Sequence, residues 1–263
     1  MNTIDDRYLS PELVMNNRFI SHHKPKWKVA ILCFRDFVGC DIIIKTFNAK
    51  PIEGYKVFYG IDANETQRQV FEAESNGVNI GIITRLSWGG PQAAILVEEL
   101  SHLGVKYIIG YGAAGSIDRD INKGDQVIGI KSLVTDGTSR SYVRDKQELF
   151  CDEELLNITM NEAIKLNIDI KHVTVANIDA LYRETKELIQ DYQSRGAQIV
   201  NLETSALFAA SEICNVSSIW VGFISDSLVS DNWDNWDIDT TGLSEQSSLI
   251  CRNTIERIIS DML

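Results

Sequence analysis

The chain has 263 residues, 44% of them hydrophobic, and a formal net charge of −12. That length and apolar content suit one large α/β domain or two small ones. The acidic balance repels phosphate backbones, so nucleic acid is not an expected partner. Five cysteines are scattered without a Cys-x-x-Cys pair and read as reduced thiols. There are four histidines, and His22-His23 stands in a polar stretch with no partner motif, so no metal site is expected. No apolar run approaches membrane-spanning length, and the first residues lack the basic-then-apolar order of a signal peptide. A soluble, cytoplasmic protein with no membrane contact is expected.

Residues 1–26 are polar and read as an irregular extension, suited to packing on a neighbouring subunit, with the domain proper at 27–263. Trp27 to Phe34 is the first strong strand, and Arg35-Asp36 stands at its end. A helical or mixed stretch follows from Cys40 to Phe47, then a strand from Ile52 to Tyr59. Val78 to Thr84 reads as a buried strand. Pro91 suits a first helical turn, Gln92 to Leu103 has helical spacing, and Gly104 is a good stop. Val105 to Gly110 is the next strand, so a parallel pair with a right-handed crossover is predicted. Gly110-Tyr111-Gly112-Ala113-Ala114-Gly115 matches G-x-G-x-x-G in letters only. A dinucleotide fingerprint opens a helix, whereas Ser116 to Asp125 reads as turns before a strand at Gln126 to Ile130. The expectation is a glycine-rich loop at a strand end, whose backbone can approach a ligand closely.

Asp136 to Ser139 reads as a polar turn, Glu153 to Leu166 as a helix, His172 to Asn177 as a strand, and Lys186 to Arg195 as a charged helix. The stretch from Gln198 to Asp226 organises the rest. Ile199-Val200 leads to Asn201-Leu202-Glu203, a helix follows with Leu207, Phe208 and Ala210 apolar, and the strand Ile219 to Ile224 ends in Ser225-Asp226. Two carboxylates at such ends could grip a polar ligand and move a proton. Each also fits an ordinary role, Glu203 as a first-turn acid and Asp226 as a cap. The acidic segment from Asp231 to Asp239 carries Trp233 and Trp236 and reads as a solvated loop or a lid. Leu243 to Met262 closes the chain as a helix. Strands and helices alternate throughout, which gives a single α/β domain with a mixed central sheet.

Several segments together resemble the nucleoside phosphorylase superfamily, which holds purine nucleoside and uridine phosphorylases and the methylthioadenosine/adenosylhomocysteine and AMP nucleosidases. They are Gly89-Gly90-Pro91, Gly112 to Ile117, Asn122-Lys123-Gly124-Asp125, Asp136 to Ser139, Asp179 to Tyr182, Asn201 to Thr204 and Ile224-Ser225-Asp226, in family order over about residues 28–260. The resemblance implies a three-layer α/β/α sandwich whose mixed sheet is partly closed as a barrel. It implies a homo-oligomer, a dimer or trimer of dimers, and cleavage of the N-glycosidic bond of a nucleoside. It gives Glu203 the sugar hydroxyls and Asp226 the protonation of N7 on a purine. It places Leu202, Asn201, Ser225, Leu181, Tyr182, Ala113, Gly115 and Trp88 around the substrate, and needs no cofactor beyond phosphate as a co-substrate.

Departures concern the second substrate. The phosphate-holding arginine and serine or threonine of phosphorylases read here as Gly110 and Ala114, and the Gly-Asp-Pro-x-Arg motif after the first strand is missing. Arg35 and Arg85 are the candidates for holding an anion. The small-residue loop resembles that of the hydrolases, so water is narrowly favoured over phosphate as nucleophile. A phosphorylase with an altered anion site and a non-catalytic binding relative are the alternatives.

Overall fold

The computed structural model of the protein describes residues 7–18, 25–52, 58, 61 and 69–263. The strand β1 (Val29–Cys33) is five buried residues in a row, so it needs neighbours on both edges. It lies between β4 (Val78–Ile83) and β5 (Tyr107–Ser116), parallel to both. The helix α3 (Gly90–His102) carries the chain from β4 to β5. The expected crossover is therefore present, but its two strands flank β1 instead of pairing with each other. β3 (Val70–Ser75) folds back antiparallel on β4 through Asn76-Gly77, whose φ values are 50° and 77°. An Asn-Gly turn with both residues at positive φ is the preferred tight hairpin connection. Sequence reading passed over β3, although Asn-Gly was there to find it.

Beyond β5 the sheet closes. β9 (Ile199–Asn201) pairs with β5, β8 (Ile170–Asn177) with β9, β6 (Gln126–Leu133) with β8, and β10 (Ser217–Ser227) with both β6 and β5. These five strands form a barrel, and the others make an open wing extending from β5 through β1. The edge strand β2 (Lys50–Pro51) pairs with β3, and β7 (Glu148–Phe150) with β6. On one side α3, α4 (Gly137–Tyr142) and α7 (Thr204–Cys214) pack together; on the other, α2 (Phe37–Thr46) and α5 (Glu153–Lys165) pack on α8 (Thr241–Met262). This is the expected three-layer arrangement with a mixed, partly barrel-like sheet. α6 (Lys186–Ser194) covers the barrel flank with Ile189 and Tyr192 against Ile178 and Val200.

Four local expectations change. Part of the extension is ordered as α1 (Pro11–Arg18), which buries Met15 and packs on α3 of its own chain, where burial of an apolar side chain outweighs the polar look of the stretch. Asp136 is not in a simple turn, because its carboxylate accepts from Ser139 N at 2.7 Å and caps α4. The glycine-rich segment is not a loop: it continues β5 to Ser116, hydrogen-bonded to β1, β9 and β10. β2 ends at Pro51, before the strand expected at 52–59; Ile52 and Phe58 are not in a strand, and residues 53–57 and 59, like His22 and His23, lie outside the described residues. Among the described residues no helix is long and apolar enough to cross a membrane.

Candidate active site

Two buried carboxylates are built by two different corners. Where β9 gives way to α7, Asn201 Oδ1 accepts from the backbone N of Glu203 at 3.4 Å and of Thr204 at 3.3 Å. Its Nδ2 donates to Thr204 Oγ1 at 2.6 Å. Asn201 thus braces the turn from β9 into α7. The corner turns Glu203 inward until it is 3% exposed. Burial strips water from the carboxyl and pushes its pKa up to about 8, against the opposing pull of Leu202 N, which donates to Oε2 at 3.2 Å, the nearby Trp220 indole and Arg35. Gly112 makes the room. A Cβ there would stand 2.9 Å from Glu203 Oε1 and 3.1 Å from Trp220 Cζ2.

The second corner is the end of β10. The register between β10 and β5 slips between Ile224 and Asp226, and such a slip re-aims the side chains that follow. Asp226, 8% exposed, then pairs with Gly115, where a Cβ would stand 3.4 Å from its Oδ2. Ser225 Oγ donates to Asp226 Oδ1 at 2.7 Å and Trp233 Nε1 donates to Oδ2 at 2.9 Å. The glycine pattern of β5 therefore has a use other than cradling phosphate. Gly112 faces one acid and Gly115 the other, three residues or about 10 Å apart along the strand.

Arg35 follows β1, and its side chain is 9% exposed. Its guanidinium lies 4.5 Å from the ring centroid of Phe223, which pairs with Ala113 in register. Among the described residues its ion pair is a long contact to Asp36 at 3.5 Å, and its Nε is buried without a partner. Arg85 behaves differently. It adopts φ 54° at the end of β4 and rests against α2, near the Phe37 ring at 5.1 Å and Asp41 at 3.4 Å. Pairing with Asp41 competes with the anion role expected of it.

The remaining expected contacts divide. Trp88 is 61% exposed and its indole N–H donates to Phe34 O at 3.1 Å, tying its loop to the end of β1. Leu181 and Tyr182 lie in a 3-10 turn, and Tyr182 is 95% exposed, so its ring points away from the interior of this chain. Leu202 is half-buried against the α6 cluster. Gly110 leaves no room for an arginine. A Cβ there would meet Leu207 Cδ2 at 2.7 Å and Trp220 Cδ1 at 3.0 Å. Ala114 is buried in the core.

Sequence reading missed three residues. Trp220, fully buried, nests among Gly110, Gly112, Gly129 and Gly222, each of which would meet it through a Cβ. One large residue in a strand amid glycines in the chain was the available signal. Lys123 Nζ holds the acidic loop through Asp234 at 2.6 Å, Asp237 at 2.7 Å and Asn235 O at 2.9 Å. Glu184 is half-buried beside the 3-10 turn. Burial first, and then the charge of Asp226, push its pKa up to about 7.

A sequence model of the Phosphorylase superfamily matches residues 52–260. The chain belongs to the phosphorylase superfamily. An uncharacterized protein of Acanthamoeba polyphaga mimivirus is 37% identical over 161 residues, 61% of this chain and 62% of that relative. A guanosine phosphorylase of Halorubrum lacusprofundi is 25% identical over 177 residues, 67% of this chain and 73% of the relative. A uridine phosphorylase of Haemophilus influenzae is 26% identical over 155 residues, 54% of this chain and 60% of the relative. The matches thus span between three fifths and three quarters of these relatives' lengths. The family is the one that the ordered motifs resembled, and its Ile224-Ser225-Asp226 and Asn201-Leu202-Glu203 segments are the two corners described above.

Proposed function

We propose that this phosphorylase-superfamily protein cleaves the N-glycosidic bond of a purine nucleoside, with inorganic phosphate as acceptor. The observation that carries the reading is the pair of buried acids, Glu203 and Asp226, set against the two glycines of one strand. When the bond breaks, positive charge grows on the sugar and negative charge on the base. Glu203 hydrogen-bonds the sugar hydroxyls and orients the cation. Asp226 gives a proton to N7, so the base leaves neutral, and such acid help is worth roughly 10²–10⁴ in rate. A phosphate oxygen forms the new bond to C1′ as the bond to the base breaks.

Phosphate is favoured by Arg35, a buried cation with an unengaged Nε beside the glycine strand and within electrostatic reach of Glu203. An anion would engage that donor. The guanosine and uridine phosphorylases among the relatives point the same way. Hydrolysis is the second reading, favoured by Gly110, whose surroundings leave no space for a phosphate-binding arginine.

The test is base release from purine and pyrimidine nucleosides with and without phosphate. Release from purines that requires phosphate, and that Arg35→Met cripples, is the expected result. Release without phosphate replaces this reading with hydrolysis, and release from uridine but not purines removes the role given to Asp226.

A further inference from the structure

Asp226 is held between two donors, and an acid catalyst in that place needs a supply of protons. Both of its oxygens accept hydrogen bonds, Oδ1 from Ser225 Oγ and Oδ2 from Trp233 Nε1. Each oxygen keeps a second lone pair, so a proton can enter with both bonds in place, but it requires a source. Trp233 is also one wall of a cavity of about 310 Å³ between α6 and the 228–233 segment. Glu184, Ile189, Gln193 and Leu228 form much of the rest of its lining. The cavity thus runs from solvent to the indole that covers Asp226, and it carries a carboxyl group on the way.

Glu184 is a half-buried acid on that cavity. Its carboxylate forms no hydrogen bond or ion pair with any described residue, while its neighbour Lys186 is taken by Asp231 at 3.2 Å. The groups that face it are Asp226 from β10, Asp231 and Lys186 at the cavity rim, and Tyr192 from α6. Asp226 and Asp231 are negative, and the one cation among them already has a partner. A carboxyl so placed keeps its proton to higher pH than a solvated one, and near neutrality it exchanges that proton readily.

We infer that Glu184 is a positioning residue for the proposed reaction, holding the proton that recharges Asp226 through the water-accessible cavity beside Trp233. The inference rests on the reading of Asp226 as the N7 acid. The proton balance is simple. The substrate N7 takes a proton from Asp226, Asp226 takes one from Glu184, and solvent returns one to Glu184. No other bond changes. Glu184 serves in its protonated form, so the rate it supports falls as pH rises through about 7.

The experiment uses the full chain. It follows kcat/KM from about pH 6 to about pH 9 for whichever of guanosine, inosine and adenosine the wild type cleaves fastest, and for the N7-methylated cation of the same nucleoside. The methylated base already carries positive charge at N7 and needs no acid. Glu184→Gln is expected to lower the rate on the ordinary nucleoside tenfold or more at neutral pH and to remove the fall near pH 7. It should leave the methylated substrate unchanged, and Glu184→Asp should recover part of the loss. Wild-type rate and pH profile in Glu184→Gln overturns the inference, and so does an equal loss on both substrates, which marks a structural role. Wild-type cleavage of the ordinary purine nucleoside tests the proposed reaction before any variant is read; its absence overturns the reaction and this inference together.

Discussion

Glu203 and Asp226, the two carboxylates of the proposed reaction, are held in two unlike regions. Around Glu203 the protein is closed. Trp220 fills the space beside it, three glycines fit round that indole, and desolvation dominates the carboxyl. Around Asp226 the protein is open on one side. Its donors are a serine and a half-exposed tryptophan on a loop held by Lys123 and Lys186, and a water-accessible cavity lies just behind. The difference matches the work proposed for each. A group that orients a sugar needs rigidity, and rigidity comes from close packing. A group that gives away a proton every turnover needs a path to solvent.

Glycine substitution is the sharpest way to break this contrast. In Gly112→Ala the new methyl would sit 2.9 Å from Glu203 Oε1 and against the immobile Trp220 ring. Overpacking a buried site of this kind costs about 1–3 kcal/mol. A lowered melting temperature together with a loss of activity of about a hundredfold is expected. Gly115→Ala meets the end of the Leu228 side chain at 3.0 Å, which can turn aside, so its losses should be clearly smaller. Equal effects in thermal melts and turnover assays would mean that the two regions are equally rigid.

A smaller effect separates them through pH. The pKa of Glu203 is raised from 4.5 to about 8, so the folded chain binds its proton more tightly than the unfolded chain does. The stability gained from burying it neutral is complete below the unfolded value and is withdrawn as pH rises through the folded one. Melting temperature should therefore fall from about pH 5 to about pH 9 in the wild type and fall less in Glu203→Gln. Parallel curves for the two proteins would show that Glu203 is not buried in its neutral form.

Much of the layer architecture was legible because it follows from hydrophobic period and stop signals. β1, α3, α5, β8, α6 and α8 lie within a few residues of where apolar runs, Pro91 and Gly104 put them. What escaped was decided by distant partners. Gly110 to Gly115 looks like a loop by local propensity, since glycine weakens a strand. It is a strand because β1, β9 and β10 hydrogen-bond it and because Trp220, Glu203 and Asp226 occupy the space its side chains would have filled. The two acids were legible from their places at element ends. Glu184 left no local mark at all, since its character comes from burial in the fold and then from Asp226, forty-two residues onward.

The central claim is that Asp226 acts on the leaving base and Glu203 on the sugar. The most direct measurement is the rate of Asp226→Asn and of Glu203→Gln on a purine nucleoside and on its N7-methylated cation. The account predicts that Asp226→Asn loses at least about a hundredfold on the ordinary nucleoside and little on the methylated one, while Glu203→Gln loses heavily on both. Equal losses on the two substrates in Asp226→Asn, or full activity in either variant, would contradict it.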